Sequence, residues 1–232
     1  MWIPWYDPTL ILLLPAIIVA LYAQAKVQST FQRYLRVPAA SGLTGAAVAR
    51  QLLERSGIRN VRIEVIPRTL GDHYDPRAKV LRLSPEVYQG SSLAAIGVAA
   101  HEAGHAIQHH TRYLPLYLRS AFVPVAQLGS NLAFPLLFLG VILGWPELAR
   151  VGVYAFVAVV LFQLVTLPVE FNASNRAINL LATGGYVHRQ EIRGAREVLS
   201  AAALTYVAAA LMAVLNLVRL LLISSAMGGR EE

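Results

Sequence analysis

The chain has 232 residues, 56% of them hydrophobic, and a mean hydropathy of +0.52; soluble proteins carry roughly 45–50% apolar residues, so an ordinary soluble domain is excluded and a membrane protein expected. Without cysteine there is neither a disulfide framework nor a thiolate ligand, and any bound metal must be held by imidazole or carboxylate. The formal charge of +7 would suit nucleic acid, yet the basic residues lie beside apolar spans, where membrane lipid is the simpler partner, so no nucleic-acid partner is expected.

Pro8 to Gln24 is the first of about four stretches that can be threaded through a bilayer, which asks for roughly 17–25 apolar residues per helix. Ala23-Gln24-Ala25 looks like a cleavage cue, but the residues ahead of the span carry Asp7 and no Lys or Arg, so an uncleaved anchor is expected. A charged, turn-rich region follows, from about Lys26 to Pro85. Within it, Thr44 to Ser56 (TGAAVARQLLERS) predicts a short amphipathic helix with Ala47, Val48 and Leu52 on one stripe and Gly57 ending it. Val61, Ile63 and Val65 alternate with Arg62 and Glu64, and Lys79 to Leu83 makes a second β-like run. Two strands of a small sheet are therefore expected, joined by the turn-rich stretch GDHYDPR (71–77). Ser84-Pro85-Glu86 predicts a capped short helix, and Ser91 or Ser92 can cap the helix after it.

That helix carries HEAGH at 101–105. Two imidazoles four residues apart lie one turn apart on the same helix face and can share one tetrahedral metal, zinc being the expected ion. Glu102, to the side of the pair, can take a proton from a metal-bound water and pass it to the leaving amine. Such a pattern also arises by chance, on a helix that merely carries solvated His and Glu. The small residues around it (Ala94, Ala95, Gly97, Ala99, Ala100, Ala103, Gly104 and Ala106) favour the metal reading, because they allow close packing that a solvated helix does not need.

The remaining spans are Ala121 to Trp145, which contains Pro124 and Pro135, then Val151 to Pro168, and Val198 to Ala226. Lys and Arg crowd the segment after the first span and that between the third and fourth, whereas Arg150 and Arg230 fall in the opposite loops and Arg219 near the end of the last span. Both crowded segments are accordingly expected in the cytoplasm and both termini outside. Trp2, Trp5 and Trp145 would suit an interfacial aromatic belt, or ordinary packing. The expected organisation is an anchor over 1–25, a cytoplasmic-side catalytic module over 26–118, two membrane helices over 119–168, a third-ligand helix and loop over 169–197, and a last membrane helix with its tail over 198–232.

A catalytic zinc takes three protein ligands and keeps one open position. Glu170, in VEFNASNRA just after the third span, is the leading third ligand, since an even number of bilayer crossings returns it to the side of His101. His109 is the rival, one further turn along the same helix, where three successive ligands would diverge from a tetrahedral centre; otherwise His109 and His110 are interfacial or solvated. His73 and Tyr74, in the loop between the expected strands, are candidates to hydrogen-bond the oxyanion of a tetrahedral intermediate. The same loop also reads as a plain turn built by Gly71, Asp72, Asp75 and Pro76, and the two roles can coexist. His188, after the Gly184-Gly185 break, reads as a surface histidine, and Glu191 as a partner of Arg193 or Arg196.

At these residues the chain resembles the neutral zinc metallopeptidase family of YugP-type bacterial membrane proteins. The resemblance rests on SGLTGAAVARQLLERSGI (41–58), DHYDPR (72–77), LRLSPEVY (81–88), VAAHEAGHAIQH (98–109), EFNASNRA (170–177) and AAALTYVAAAL (201–211). It implies a membrane-bound metallopeptidase fold with His101, His105 and Glu170 as ligands and Glu102 as acid/base, and it leaves Glu191 open as a site-supporting residue. EFNAS is also similar to the Glu-Phe-x-Ala-Asp element of HtpX-like and CAAX-prenyl peptidases, with Ser174 where those carry Asp.

The fold expected is mainly α, with a small α+β zincin-like module carrying the HExxH helix, in a multi-pass protein of the bacterial cell membrane. The function expected is peptide-bond hydrolysis near the cytoplasmic face, on membrane proteins or unfolded segments. The alternatives are a non-catalytic, zinc-stabilised membrane scaffold or chaperone partner, and a metal or proton transporter.

Overall fold

The computed structural model describes residues 8–228; Trp2, Trp5, Asp7 and Arg230, which entered the sequence analysis, lie outside the described residues. The chain is mostly helical, with one small sheet. A 3-10 turn over Pro8–Leu13 leads into α1 (Leu14–Leu35), followed by α2 (Gly45–Arg55), β1 (Arg62–Val65), β2 (His73–Asp75), β3 (Val80–Leu83), α3 (Pro85–Tyr88), α4 (Leu93–His110), α5 (Leu114–Ile142), α6 (Pro146–Thr183) and α7 (Ile192–Gly228). Four helical segments among the described residues are long and apolar enough to cross a membrane: Pro8–Leu35, Leu114–Ile142, Pro146–Thr183 and Ile192–Ala226.

One compact unit comprises residues 8–22, 118–167 and 206–228. Its core is small and aliphatic, with Ala133, Leu137, Ala149, Val153, Phe156, Val160, Ala213, Leu220 and Ile223 packed together. Leu128 and Phe138, by contrast, are more than half exposed, as expected of side chains that face lipid and are driven by no water-exclusion term to turn inward. Pro124 and Pro135 lie inside α5. Arg219 is held rather than left bare in its apolar helix: its Nε donates to Thr9 Oγ1 at 3.3 Å and its Nη1 to Asn216 Oδ1 at 3.4 Å.

The second unit comprises Ala23–Tyr117 and Pro168–Thr205. In α2, Thr44 Oγ1 accepts from Ala47 N, and Gly57 (φ +77°) takes the left-handed conformation that stops the helix. The buried stripe is Val48, Ala49, Leu52 and Leu53, so Val48 and Leu52 of the expected stripe are buried, Ala49 and Leu53 widen it, and Ala47 is half-buried. Full burial of each leucine contributes about 1.5–3 kcal/mol. This stripe packs on α4, and Leu81, Leu83 and Val87 close the same core.

The sheet differs from the expected pair of strands. Its order is β1-β3-β2; β1 and β3, the two runs legible in the sequence, pair in parallel, with Ile63 opposite Leu81. The stretch read as a connecting turn supplies the third strand, β2, antiparallel to β3, with Tyr74 opposite Leu81. Its turn-forming residues mark the strand's ends. Asp75 Oδ1 accepts from Arg77 N and Ala78 N, and its Oδ2 from Arg82 Nη1.

Three helices also run past their expected limits. α1 continues beyond Gln24 to bury Phe31, α5 begins at Leu114, and α6 passes through Pro168 to Thr183. Proline removes one helical hydrogen bond; burial of Val169, Ala173, Ala177 and Leu181 beyond it keeps the helix intact. Glu170 is thereby presented from a continuous helix.

Candidate metal centre

Ser92 starts α4 by accepting from Ala95 N at 3.2 Å. The run of alanines and glycines then lets α4 lie very close to the Pro168–Thr183 portion of α6. A Cβ built on Gly104 would stand 2.9 Å from the backbone oxygen of Ala173, closer than side-chain carbons approach a backbone oxygen, so any larger residue must push the two helices apart. Ala173 is one turn beyond Glu170, and the close approach sets that carboxylate opposite the histidine pair.

Glu170 Oε2 lies 3.3 Å from His101 Nε2 and 3.5 Å from His105 Nε2. One ligand atom from each of the three residues falls within 4.8 Å of the other two. A tetrahedral ion with bonds of about 2.0–2.2 Å separates its donors by about 3.3–3.5 Å, and the two spacings from Glu170 to the histidines match that separation. The two rings meet edge to face, with centroids 4.7 Å apart. Glu102 and His105 are buried, and Glu170 is only 2% exposed.

Each imidazole is held from behind. His101 Nδ1 is 3.1 Å from Ser174 Oγ, and His105 Nδ1 is 3.0 Å from Gln108 Oε1. Such contacts orient a metal-binding ring. Burial alone would lower the His105 pKa, but its hydrogen bond to Glu170 and the charges of Glu102 and Glu170 raise it overall.

The remaining expected site residues separate. Tyr74 turns toward α4: its hydroxyl is 3.0 Å from His109 Nδ1, and burial raises its pKa, with Asp75 and Tyr117 adding to the rise. His73, its neighbour on β2, takes the exposed side. Its Nδ1 donates to Gly71 O at 2.8 Å, which leaves Nε2 to accept from Arg82 Nη1 at 3.3 Å. Strand alternation thus parts the two oxyanion candidates, and His73 is not brought to the metal cluster. His109 stands outside the cluster and belongs with Tyr74 and Tyr117. His110 and His188 are exposed. Glu191 ties segments together, accepting from Ala40 N and His188 N, while Arg193 pairs with Glu197.

Sequence reasoning missed Gln108 and Asp72. Asp72, read as a turn residue, accepts from Ser84 N at 2.7 Å and from the Ser84 hydroxyl, which therefore caps no helix. Burial pushes the Asp72 carboxyl up; the Ser84 hydrogen bonds oppose this, and the charge of Glu102 adds to the rise. The one signal for Gln108 in the sequence was its place three residues beyond His105 on the same helix; its complete burial shows only in the structure.

Two helix-borne imidazoles and a carboxylate on a facing helix, in a chain with four membrane-length apolar helices, define a candidate membrane metalloprotein. The family described as "Putative neutral zinc metallopeptidase" matches residues 9–225, and the chain belongs to that family. It is 48% identical over 222 residues to the protein named "Putative membrane protease YugP" of Bacillus subtilis (strain 168), covering 95% of this chain and 97% of that relative. No solved structure matches the chain.

Proposed function

We propose that this protein is a zincin-like, membrane-embedded peptidase in which His101, His105 and Glu170 hold one zinc ion and Glu102 is the general base and then the general acid. The observation that carries this reading is the convergence of the two histidine Nε2 atoms on Glu170 Oε2, with Glu102 beside them on α4. When bound, zinc would supply Lewis acidity, lowering the pKa of water to about 7 and polarising the scissile carbonyl. Glu102 takes a proton from the attacking water as its oxygen bonds to the carbonyl carbon. It then delivers that proton to the amide nitrogen as the C–N bond breaks, leaving a carboxylic acid and an amine. Tyr74 is the candidate to donate to the oxyanion, since it turns toward α4 while His73 takes the exposed side.

The Lys and Arg content around α2 and the sheet and between α6 and α7 supports a cytoplasmic position for the catalytic residues. Membrane proteins or unfolded segments are the substrates proposed, because four membrane-length helices would hold the site at the bilayer, where such chains are met. The test is cleavage of an unfolded protein by purified wild type and by Glu102→Gln. The variant should retain zinc and lose about 10²–10⁴-fold in rate. Equal cleavage by both removes Glu102 from the mechanism, and zinc binding without cleavage by the wild type favours a scaffold.

A further inference from the structure

Gln108 is 0% exposed, three residues beyond His105 on α4. Its Nε2 donates to Val169 O at 2.8 Å and to Asn172 Oδ1 at 3.0 Å, and its Oε1 lies 3.0 Å from His105 Nδ1. A backbone carbonyl can only accept, so Val169 settles which end of the amide is nitrogen. The end facing His105 is therefore oxygen, and the hydrogen between them belongs to His105 Nδ1. With the ring neutral, Nε2 is the unprotonated atom left for a metal, and it is the atom that faces Glu170 Oε2 at 3.5 Å.

The chain of contacts continues outward. Asn172 Oδ1 also accepts from Arg176 Nε at 2.7 Å, and the Arg176 guanidinium lies over the Tyr113 ring, 5.9 Å from its centroid. Arginine can only donate, so the oxygen of Asn172 faces both donors. His101 is held differently. Its contact, Ser174, has a hydroxyl that donates or accepts, so it orients the ring without choosing the tautomer.

We propose that Gln108, fixed by Val169, Asn172 and Arg176, is the positioning residue that locks His105 with hydrogen on Nδ1 and so presents its Nε2 to the metal. In this chain tautomer selection resides on α4 at position 108, and Ser174 supplies orientation alone. The inference rests on the reading that His101, His105 and Glu170 hold zinc.

The test uses the full chain in detergent, with zinc affinity read by chelator competition and ligand geometry read from the visible absorption of the Co²⁺-loaded protein. Gln108→Met fills similar space without polar atoms and should weaken zinc binding by about 10–100-fold, with an altered Co²⁺ spectrum. Asn172→Leu should weaken it in the same direction. Asn172→Asp, whose oxygens still accept from Gln108 and Arg176, should keep wild-type affinity. This recovery separates positioning from mere filling of space, and the Asn172 pair decides the matter if Gln108→Met does not fold. Wild-type affinity and spectrum in Gln108→Met and Asn172→Leu overturn the proposal, as does an equal loss in Asn172→Asp and Asn172→Leu. If instead the wild type binds no zinc, or Glu170→Ala binds it as tightly, the underlying metal assignment falls and the proposal with it.

Discussion

Replacing Gly104 by alanine adds one methyl group at the closest approach between α4 and the Pro168–Thr183 portion of α6. That carbon would stand 2.9 Å from Ala173 O and 3.4 Å from Ala173 C and Cα. Comfortable contact begins near 3.5 Å, so the helices must part by about 0.5 Å. Intrinsic helix propensity favours alanine by about 1 kcal/mol, while overpacking costs about 1–3 kcal/mol; the net change is small enough for the protein to fold. The metal centre is less tolerant. Ligand positions match an ion to within about 0.2 Å, and the displaced strut carries Glu170, one turn before Ala173. Zinc affinity should fall by about tenfold or more, read by chelator competition. Gly97→Ala is the control on the same helix, since its Cβ would meet Ala195 only at 4.0 Å, and it should bind as wild type does. If folded Gly104→Ala binds zinc as tightly as Gly97→Ala, the close approach does not set the Glu170 position and the reasoning fails.

Zinc should raise the melting temperature of the wild type but not of Glu170→Ala. At a free concentration 100 times Kd the gain is about 2.7 kcal/mol, or roughly 5–10 °C for a chain of this size; equal shifts in both proteins would remove Glu170 from the ligand set. Asp72 predicts a pH dependence of stability. Its carboxyl is raised from the ordinary 3.8 chiefly by burial, so its contribution is fully present below 3.8 and is lost as pH rises through the raised value. Asp72→Asn keeps an oxygen for Ser84 N without the charge. Its stability relative to wild type should therefore climb as pH rises from about 4 toward neutrality, as measured by thermal unfolding of both proteins across that range. A difference that does not change with pH refutes this.

What could be read from the sequence is what local spacing encodes. Apolar length marks spans, and four-residue spacing puts His101 and His105 on one helix face. Ser92, Thr44 and Gly57 punctuate helices through their own side chains or backbone freedom. Glu170 was reachable by counting bilayer crossings, which placed it on the correct side but gave no distance.

The fold alone decided the rest, because the deciding partners are distant in the chain. β2 hid in a turn-rich stretch, since three residues supply too short a period to show and β3 provides the pairing. That pairing parted Tyr74 from His73, sending one toward α4 and the other to the exposed side, a separation invisible while both sat in one loop. The role of Gln108 depends on Val169 and Asn172, some sixty residues away, which orient its amide. Periodicity reports which face a residue occupies; which atom of a buried amide faces which ring is set only when another helix brings a carbonyl within 2.8 Å.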